Sequence, residues 1–329
     1  MTAPVRHVWA ALLVVYVVWG STYFGIKIAV ETIPPLVAAG SRFLTAALLL
    51  AAILALRRTS LRVTRRELGA AAAAGGLMLG LGVGLDHVAE TRIDSSVAAM
   101  IAGTVPLQII GLRLLAGESP ARATRLSALT GVVGLLLVVA PGLGAGSTAL
   151  GLAVMISASA SWTLGSFLSK RLPLPRDPFV ATVYEMGVGG LALLVAALAS
   201  GEWSEVGSDT FALDSVLAWA YLVVMGSLVG FTAYAWLLRV APISLVVTHQ
   251  YVNPLVAIAL GMAFLGERPS PLTLAGALLV IGAVYVAVRA ESPRRTVPTG
   301  PDTAAKQPSS EIFPRPEPAR ADSGVAEPT

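Results

Sequence analysis

Apolar residues fill this chain in long stretches separated by short polar gaps. The stretches cover residues 8–28, 35–56, 68–86, 95–115, 126–142, 149–169, 178–200, 216–238, 243–265 and 271–289. A hydrocarbon core about 30 Å thick needs roughly 20 apolar residues per helix, so each stretch predicts a transmembrane helix, ten in all. Nearly all carry Gly or Pro inside, which membrane helices tolerate because their neighbours re-satisfy the freed backbone groups. The gaps are too short for a domain outside the membrane. Arg6 flanks the first stretch as in a signal peptide, but no small-residue cleavage site follows, and Trp19, Tyr23 and Lys27 are foreign to one. This stretch is read as a retained helix. From about residue 291 the character changes: the last 39 residues hold eight prolines and hardly any large apolar side chains. Such a segment cannot offset its ordering entropy by burial, and it predicts a disordered tail.

Composition agrees with this pattern. Charged residues make up 13% of the 329 residues and hydrophobic residues 55%, against roughly 25% charged in a soluble domain. The material for a water-facing shell is missing. With no cysteine, disulfides and thiolate metal sites are excluded. The net charge of +4 does not point to nucleic acid, because the basic residues sit in the gaps between apolar runs. There they orient the chain. With a cytoplasmic N-terminus and ten spans, fifteen basic residues fall inside, among them Arg57, Arg58, Arg62, Arg65 and Arg66, and three fall outside, Lys27, Arg92 and Arg268. Both termini are therefore expected in the cytoplasm. Arginine outnumbers lysine 20 to 3 in an Ala- and Gly-rich chain, which points to a GC-rich bacterial gene and a bacterial inner membrane.

The chain also repeats itself. Val18-Trp19-Gly20-Ser21-Thr22 in span one has a counterpart in Ser161-Trp162-Thr163-Leu164-Gly165 of span six, 143 residues later, and the same offset carries Arg42 onto Glu185. In span four Pro106 leads to Leu115-Ala116-Gly117-Glu118, and in span nine Pro254 leads to Leu265-Gly266-Glu267. Five spans per half force the second half to insert upside down, giving an inverted-topology repeat. The fold class is thus an all-α integral membrane protein of ten transmembrane helices as two inverted five-helix repeats, residues 1–145 and 146–290, with a Pro-rich cytoplasmic tail, 291–329. Trp19-Gly20-Ser21-Thr22-Tyr23-Phe24, Arg42-Phe43 and the two Pro-to-Glu segments ending at Glu118 and Glu267 carry a resemblance to the EamA family of the drug/metabolite transporter superfamily. The resemblance implies ten helices, cytoplasmic termini, a central substrate cavity and alternating access without ATP. The chain departs from the family at Arg113 in span four and Glu185 in span seven, where apolar or small residues are usual.

Arg42 and Glu185 stand well inside apolar spans. Charges there are costly and face a cavity or a partner, so both are candidates for coupling or gating; a stabilising contact or snorkelling is the alternative. Arg113, near the inner end of span four, is read as snorkelling. Span nine holds the densest polar cluster, Thr248, His249, Gln250, Tyr251 and Asn253, followed at once by Pro254. Proline frees a carbonyl, so a polar, broken helix is expected to line the cavity, with helix–helix hydrogen bonding as the alternative. His249, Gln250 and Asn253 are the substrate-cavity candidates from this span. Trp19, Ser21, Thr22, Tyr23, Trp162 and Tyr234 add aromatic and hydroxyl surface. Gly76, Gly80 and Gly84, and Gly226 and Gly230, predict close helix packing and would also serve a homodimer seam.

Enzymatic readings lack their parts. Gly20-Ser21-Thr22-Tyr23-Phe24-Gly25-Ile26-Lys27 falls short of a phosphate loop, which needs Gly-Lys-Ser/Thr. The three histidines are scattered, and no aspartate lies in a clear span interior. The sequence therefore predicts no catalytic residues, metal or cofactor, a small-molecule substrate and the lipid bilayer as partners, and no nucleic acid. The function expected is a secondary transporter, an exporter of a small organic metabolite. An enzyme acting on lipid-linked substrates and a channel are the alternatives.

Overall fold

The structure is a computed structural model, and it describes residues 4–90, 92–93, 101–140, 148–264 and 270–291. The described regular elements are all helical. Residues 94–100, Glu267 and the tail from residue 292 lie outside the described residues.

Helix α1 spans Val5–Ala29. Helix α2, Pro35–Leu56, begins at the proline pair Pro34-Pro35, and its N-terminal Leu36 and Val37 amides donate to Glu202 Oε2 at 2.8 and 3.2 Å. Thr64 and Glu67 form a capping box that starts α3, Arg65–Gly75. A π-helical stretch, Gly76–Val83, and α4, Gly84–Glu90, continue the same rod. Then come α5, Val105–Leu115, α6, Arg122–Val139, and α7, Ala149–Ser169, the last capped by Thr148. Helix α8, Pro178–Ser200, is capped by Asp177 and closed by Gly201 at a left-handed φ of 85°. A second rod joins α9, Leu213–Tyr221, a π-helical stretch, Leu222–Phe231, and α10, Thr232–Val240. Short α11, Ile243–Val246, precedes α12, His249–Phe264, and α13, Pro271–Glu291, completes the order.

Among the described residues six helical segments are long and apolar enough to cross a membrane: Val5–Thr22, Pro35–Leu56, Arg65–Ala89, Ala149–Ser169, Pro178–Ser200 and Leu213–Val240. Their outer surfaces suit lipid. Leu13, Leu48 and Leu198 are 62%, 64% and 68% exposed, an arrangement that a water-facing protein avoids on this scale. Span nine departs from expectation. Its break falls at Val247-Thr248, between α11 and α12, and Pro254 lies inside α12. Thr248 Oγ1 bonds back to Leu245 O at 2.6 Å and meets Tyr16 Oη at 2.6 Å, which competes with helical pairing at that point.

The helices meet where glycine lets backbones touch. A Cβ on Gly40 of α2 would lie 3.0 Å from Gly190 O of α8, and one on Gly276 of α13 would lie 2.5 Å from Gly134 O of α6. The glycine series behaves unevenly. Gly84, Gly226 and Gly230 are tightly packed as expected, but nothing approaches Gly76. Its neighbour Gly75 faces Glu185, whose carbonyl oxygen would be 2.2 Å from an added Cβ. Gly75→Ala should therefore lower the thermal unfolding midpoint in detergent, by overpacking that costs about 1–3 kcal/mol. Gly76→Ala, one residue away with open space around it, should leave that midpoint unchanged or slightly raised. Equal effects of the two substitutions would contradict the packing at Gly75.

Candidate functional site

One cavity of about 140 Å³ lies between the two rods, α1, α2, α7 and α12. For scale, a dry engineered cavity of about 150 Å³ admits benzene. Its aromatic wall is built around Trp19. The Trp19 ring stands 5.6 Å from Trp162, 4.9 Å from Tyr234 and 4.9 Å from His249, the Trp162 and His249 contacts edge-on. Trp19 Nε1 donates to Gly226 O at 3.0 Å, inside the second π-helical stretch. A π-helical turn widens the helix and leaves carbonyls available to such a donor. Ser161 uses the first stretch in the same way, donating to Leu77 O at 2.9 Å. Gly230 leaves the room that Trp19 occupies, since a Cβ there would lie 2.6 Å from Trp19 Nε1.

Polar groups share the lining with these rings. Arg42, Asp86 and His87 all line the cavity, and the Arg42 guanidinium is within electrostatic reach of the Asp86 carboxylate. Arg42 is 8% exposed, lies 4.5 Å over the Phe43 ring, and its Nε and Nη1 have no hydrogen-bond partner among the described residues. His249 is 1% exposed and its Nδ1 lies 2.9 Å from Val246 O. A carbonyl only accepts, so Nδ1 carries the proton, and Nε2 is left as an acceptor with no partner among the described residues. Asn253 Oδ1, on a residue 3% exposed, is also unpartnered. Ser159 completes the lining through a network in which Gln108 Nε2 donates to Ser159 Oγ at 2.8 Å and Thr163 Oγ1 donates to Gln108 Oε1 at 2.9 Å. Among the described residues no group of three or more His, Asp or Glu stands close enough to hold a metal ion.

Comparison with known proteins decides what this cavity belongs to. The model of the EamA-like transporter family matches residues 7–140 and again residues 149–289. The chain belongs to the EamA-like transporter family. A relative in Escherichia coli K12, an uncharacterized inner membrane transporter named YedA, is 36% identical over 278 residues, 84% of this chain and 89% of its own. A probable amino-acid metabolite efflux pump of Salmonella typhimurium LT2 is 25% identical over 307 residues, 87% of this chain and 96% of its own. A solved crystal structure superimposes with a TM-score of 0.70 at 18% identity, covering 86% of this chain and 96% of that one, and at that identity it speaks for the fold alone. The chain is thus a membrane protein of a transporter family, and both the family and its relatives' names point to transport rather than catalysis.

In this EamA-like chain the sequence candidates divide. Trp19, Thr22, Arg42, Trp162, His249, Gln250 and Asn253 line the cavity. Tyr234 does not: it is fully buried behind the aromatic wall, with its hydroxyl 2.7 Å from Ser166 Oγ. Ser21 turns away, 2.6 Å from the Tyr221 hydroxyl. The Tyr23 side chain lies outside the described residues. Glu185 is absent from the lining; it is 2% exposed, with Oε2 unpartnered, between Gly75 and the α10 end, where Arg239 is its opposite charge. Sequence reasoning missed Asp86, His87, Gln108 and Ser159. Asp86 and His87 fell at the end of a span closed too early, although continuing it to Glu90 would have brought both inside.

An unpaired buried polar atom lowers stability unless something binds it. Replacing Asn253 with Leu, similar in size, should keep or raise the unfolding midpoint, because an unsatisfied buried group costs about 1–3 kcal/mol. The same variant should lose at least tenfold in substrate uptake. A variant that unfolds earlier yet transports normally would move Asn253 to a packing role.

Proposed function

We propose that this protein is a secondary active transporter that exports a small organic metabolite by alternating access, without ATP. The observation that carries the reading is the set of buried atoms on the cavity wall that have no hydrogen-bond partner among the described residues: Arg42 Nε and Nη1, Trp162 Nε1, His249 Nε2 and Asn253 Oδ1. The Arg42 donors match an anionic group, a carboxylate above all, whereas Asn253 Oδ1 and His249 Nε2, bare when Nδ1 holds the proton, accept and match a donor on the same ligand, such as an ammonium. The faces of Trp19 and Trp162 take its apolar part. The cavity size suits a molecule of amino-acid dimensions, and the name of the Salmonella relative agrees with that chemistry.

Ten helices in two inverted halves remain part of the proposal. Two separate family matches support it, as do pairings that come in mates: α1 packs on the second rod and on α12, and α7 packs on the first rod and on α5. Each rod carries a π-helical stretch against a tryptophan of the other half. The host membrane is proposed to be a bacterial inner membrane, with both termini cytoplasmic. Glu185 keeps its candidacy for coupling, but as a group beside the cavity that acts through the packing of α3, α8 and α10, not as a substrate ligand. A dimer stays an open proposal, and its test is the mass of the purified complex.

Purified protein in liposomes tests the function. Arg42→Gln should reduce uptake of a carboxylate-bearing substrate more than tenfold, the loss expected when one charge-assisted contact disappears. Glu185→Gln should lose accumulation driven by a pH gradient yet keep exchange between equal pools. Unchanged gradient-driven transport by that variant would remove Glu185 from coupling. Labelling of a cysteine placed at Arg62, expected only from the cytoplasmic side, checks the orientation.

A further inference from the structure

The cavity sits toward one end of its helices. It takes Trp19, Thr22 and Ile26 from the later half of α1, Arg42 and Phe43 from the first half of α2, and Asp86 from the end of the first rod. The other end is bound by charge. Arg113, in the last turn of α5, donates from Nε to Glu118 Oε2 at 2.7 Å and from Nη1 to Ser244 Oγ of α11 at 2.5 Å. Glu118 Oε1 accepts from Arg171, just past the end of α7. Two links therefore cross between the residues matched at 7–140 and those matched at 149–289, both at one face. Lys170, bonded to Ala241 O, ties α7 to the end of α10 within the second half at the same face.

We infer that Glu118 is the latch of a gate that closes the cavity toward this face, by clamping Arg113 and Arg171 together across the two halves. The inference rests on the transport reading above. Three features fit a latch rather than a permanent brace. The Glu118 and Arg171 side chains are 38% and 36% exposed, so water can take over their charges when they part. Hydrogen bonding from Arg113, with the Arg171 charge beside it, holds the Glu118 carboxyl below the usual carboxylate range, so it stays charged at neutral pH. The clamp also reaches the site. Ser244 belongs to four-residue α11, and the Val247-Thr248 break separates it from His249 on the cavity wall. Along α7, Trp162 and Arg171 are nine residues apart, roughly 13 Å of helix. A ligand that moves His249 thus pulls on one anchor of the latch, and one that moves Trp162 pulls on the other.

The cysteine-free chain allows a test without any substrate. Ser169, 8% exposed at the last residue of α7, donates within its own helix, to Gly165 O, and is replaced by Cys as an accessibility reporter. A membrane-impermeant maleimide is applied to vesicles of each orientation. With Glu118 intact the reporter should react slowly from both sides. Glu118→Gln should speed labelling at least fivefold from the latched face and leave the other face unchanged. Arg171→Gln should do the same, and the double variant should be no faster than either single one. Unchanged labelling in both single variants would overturn the latch, as would equal acceleration from both faces, which marks general loosening. A protein that shows the expected labelling but moves no carboxylate substrate in liposomes would keep the latch and refute the transport reading.

Discussion

Helices in lipid gain nothing by hiding leucine from its surroundings, because the tails are as apolar as the side chains. Association must come from close packing and from polar contacts, and in this chain close packing is a matter of where glycine stands. Gly40 against Gly190, Gly134 against Gly276 and Gly75 against the Glu185 backbone set which helices touch and at what depth. Once α2 is fixed to α8 and α6 to α13, the two rods and the helices bearing Trp19 and Trp162 are left to enclose the space between them. The cavity is a consequence of those contacts, not an opening cut into a finished bundle. Glu202, reaching from beyond α8 to the first free amides of α2, reinforces the same pairing at its end.

The cost of this architecture falls on the polar groups that the cavity keeps waiting. Several buried hydroxyls here bond to a carbonyl of their own helix, as Thr22, Thr163 and Ser166 do. Arg42, His249 and Asn253 are different, with atoms inside the bundle that have no partner among the described residues. A chain selected only for stability would replace them with apolar residues, since a satisfied or absent polar group is cheaper than an orphaned one. Asp86 moderates the Arg42 charge without covering its Nε and Nη1. That combination, a countercharge nearby and free donors toward the space, is what a reversible ligand site requires.

Much of this was legible in the sequence, and what was not has physical reasons. The bounds of α2 and α7 follow directly from the apolar runs, because Pro35, Arg57, Thr148 and Lys170 punctuate them. The aromatic pair Trp19 and Trp162 and the polar cluster at His249 to Asn253 were visible as departures from lipid-like composition. Asp86 was hidden because a charge at the end of an apolar run reads as the start of a loop. Only the added length of the rod, carried through its π-helical stretch, brings that residue to the cavity. The break in span nine was misplaced to Pro254 because proline is the loudest signal in a string of letters. Thr248, whose side chain competes for the backbone and meets Tyr16 from a distant helix, is a quieter one.

The energetics of the closed face agree with the rest of the arrangement. Exposed ion pairs contribute roughly 0–1 kcal/mol each, far less than an apolar seal of the same extent. A transporter needs that weakness. Two conformations separated by a few kcal/mol leave the minor one populated at about 0.1–10%, and a ligand shifts the balance only by its difference in affinity for the two. Millimolar binding corresponds to about 4 kcal/mol, enough to tip a gap of that size but not to open a hydrophobic core. On the proposed mechanism, the Glu118 clamp lies in the range that a metabolite seated on Arg42 and His249 would overcome. The glycine contacts between α2 and α8 do not, and they supply the fixed frame against which the rest would move.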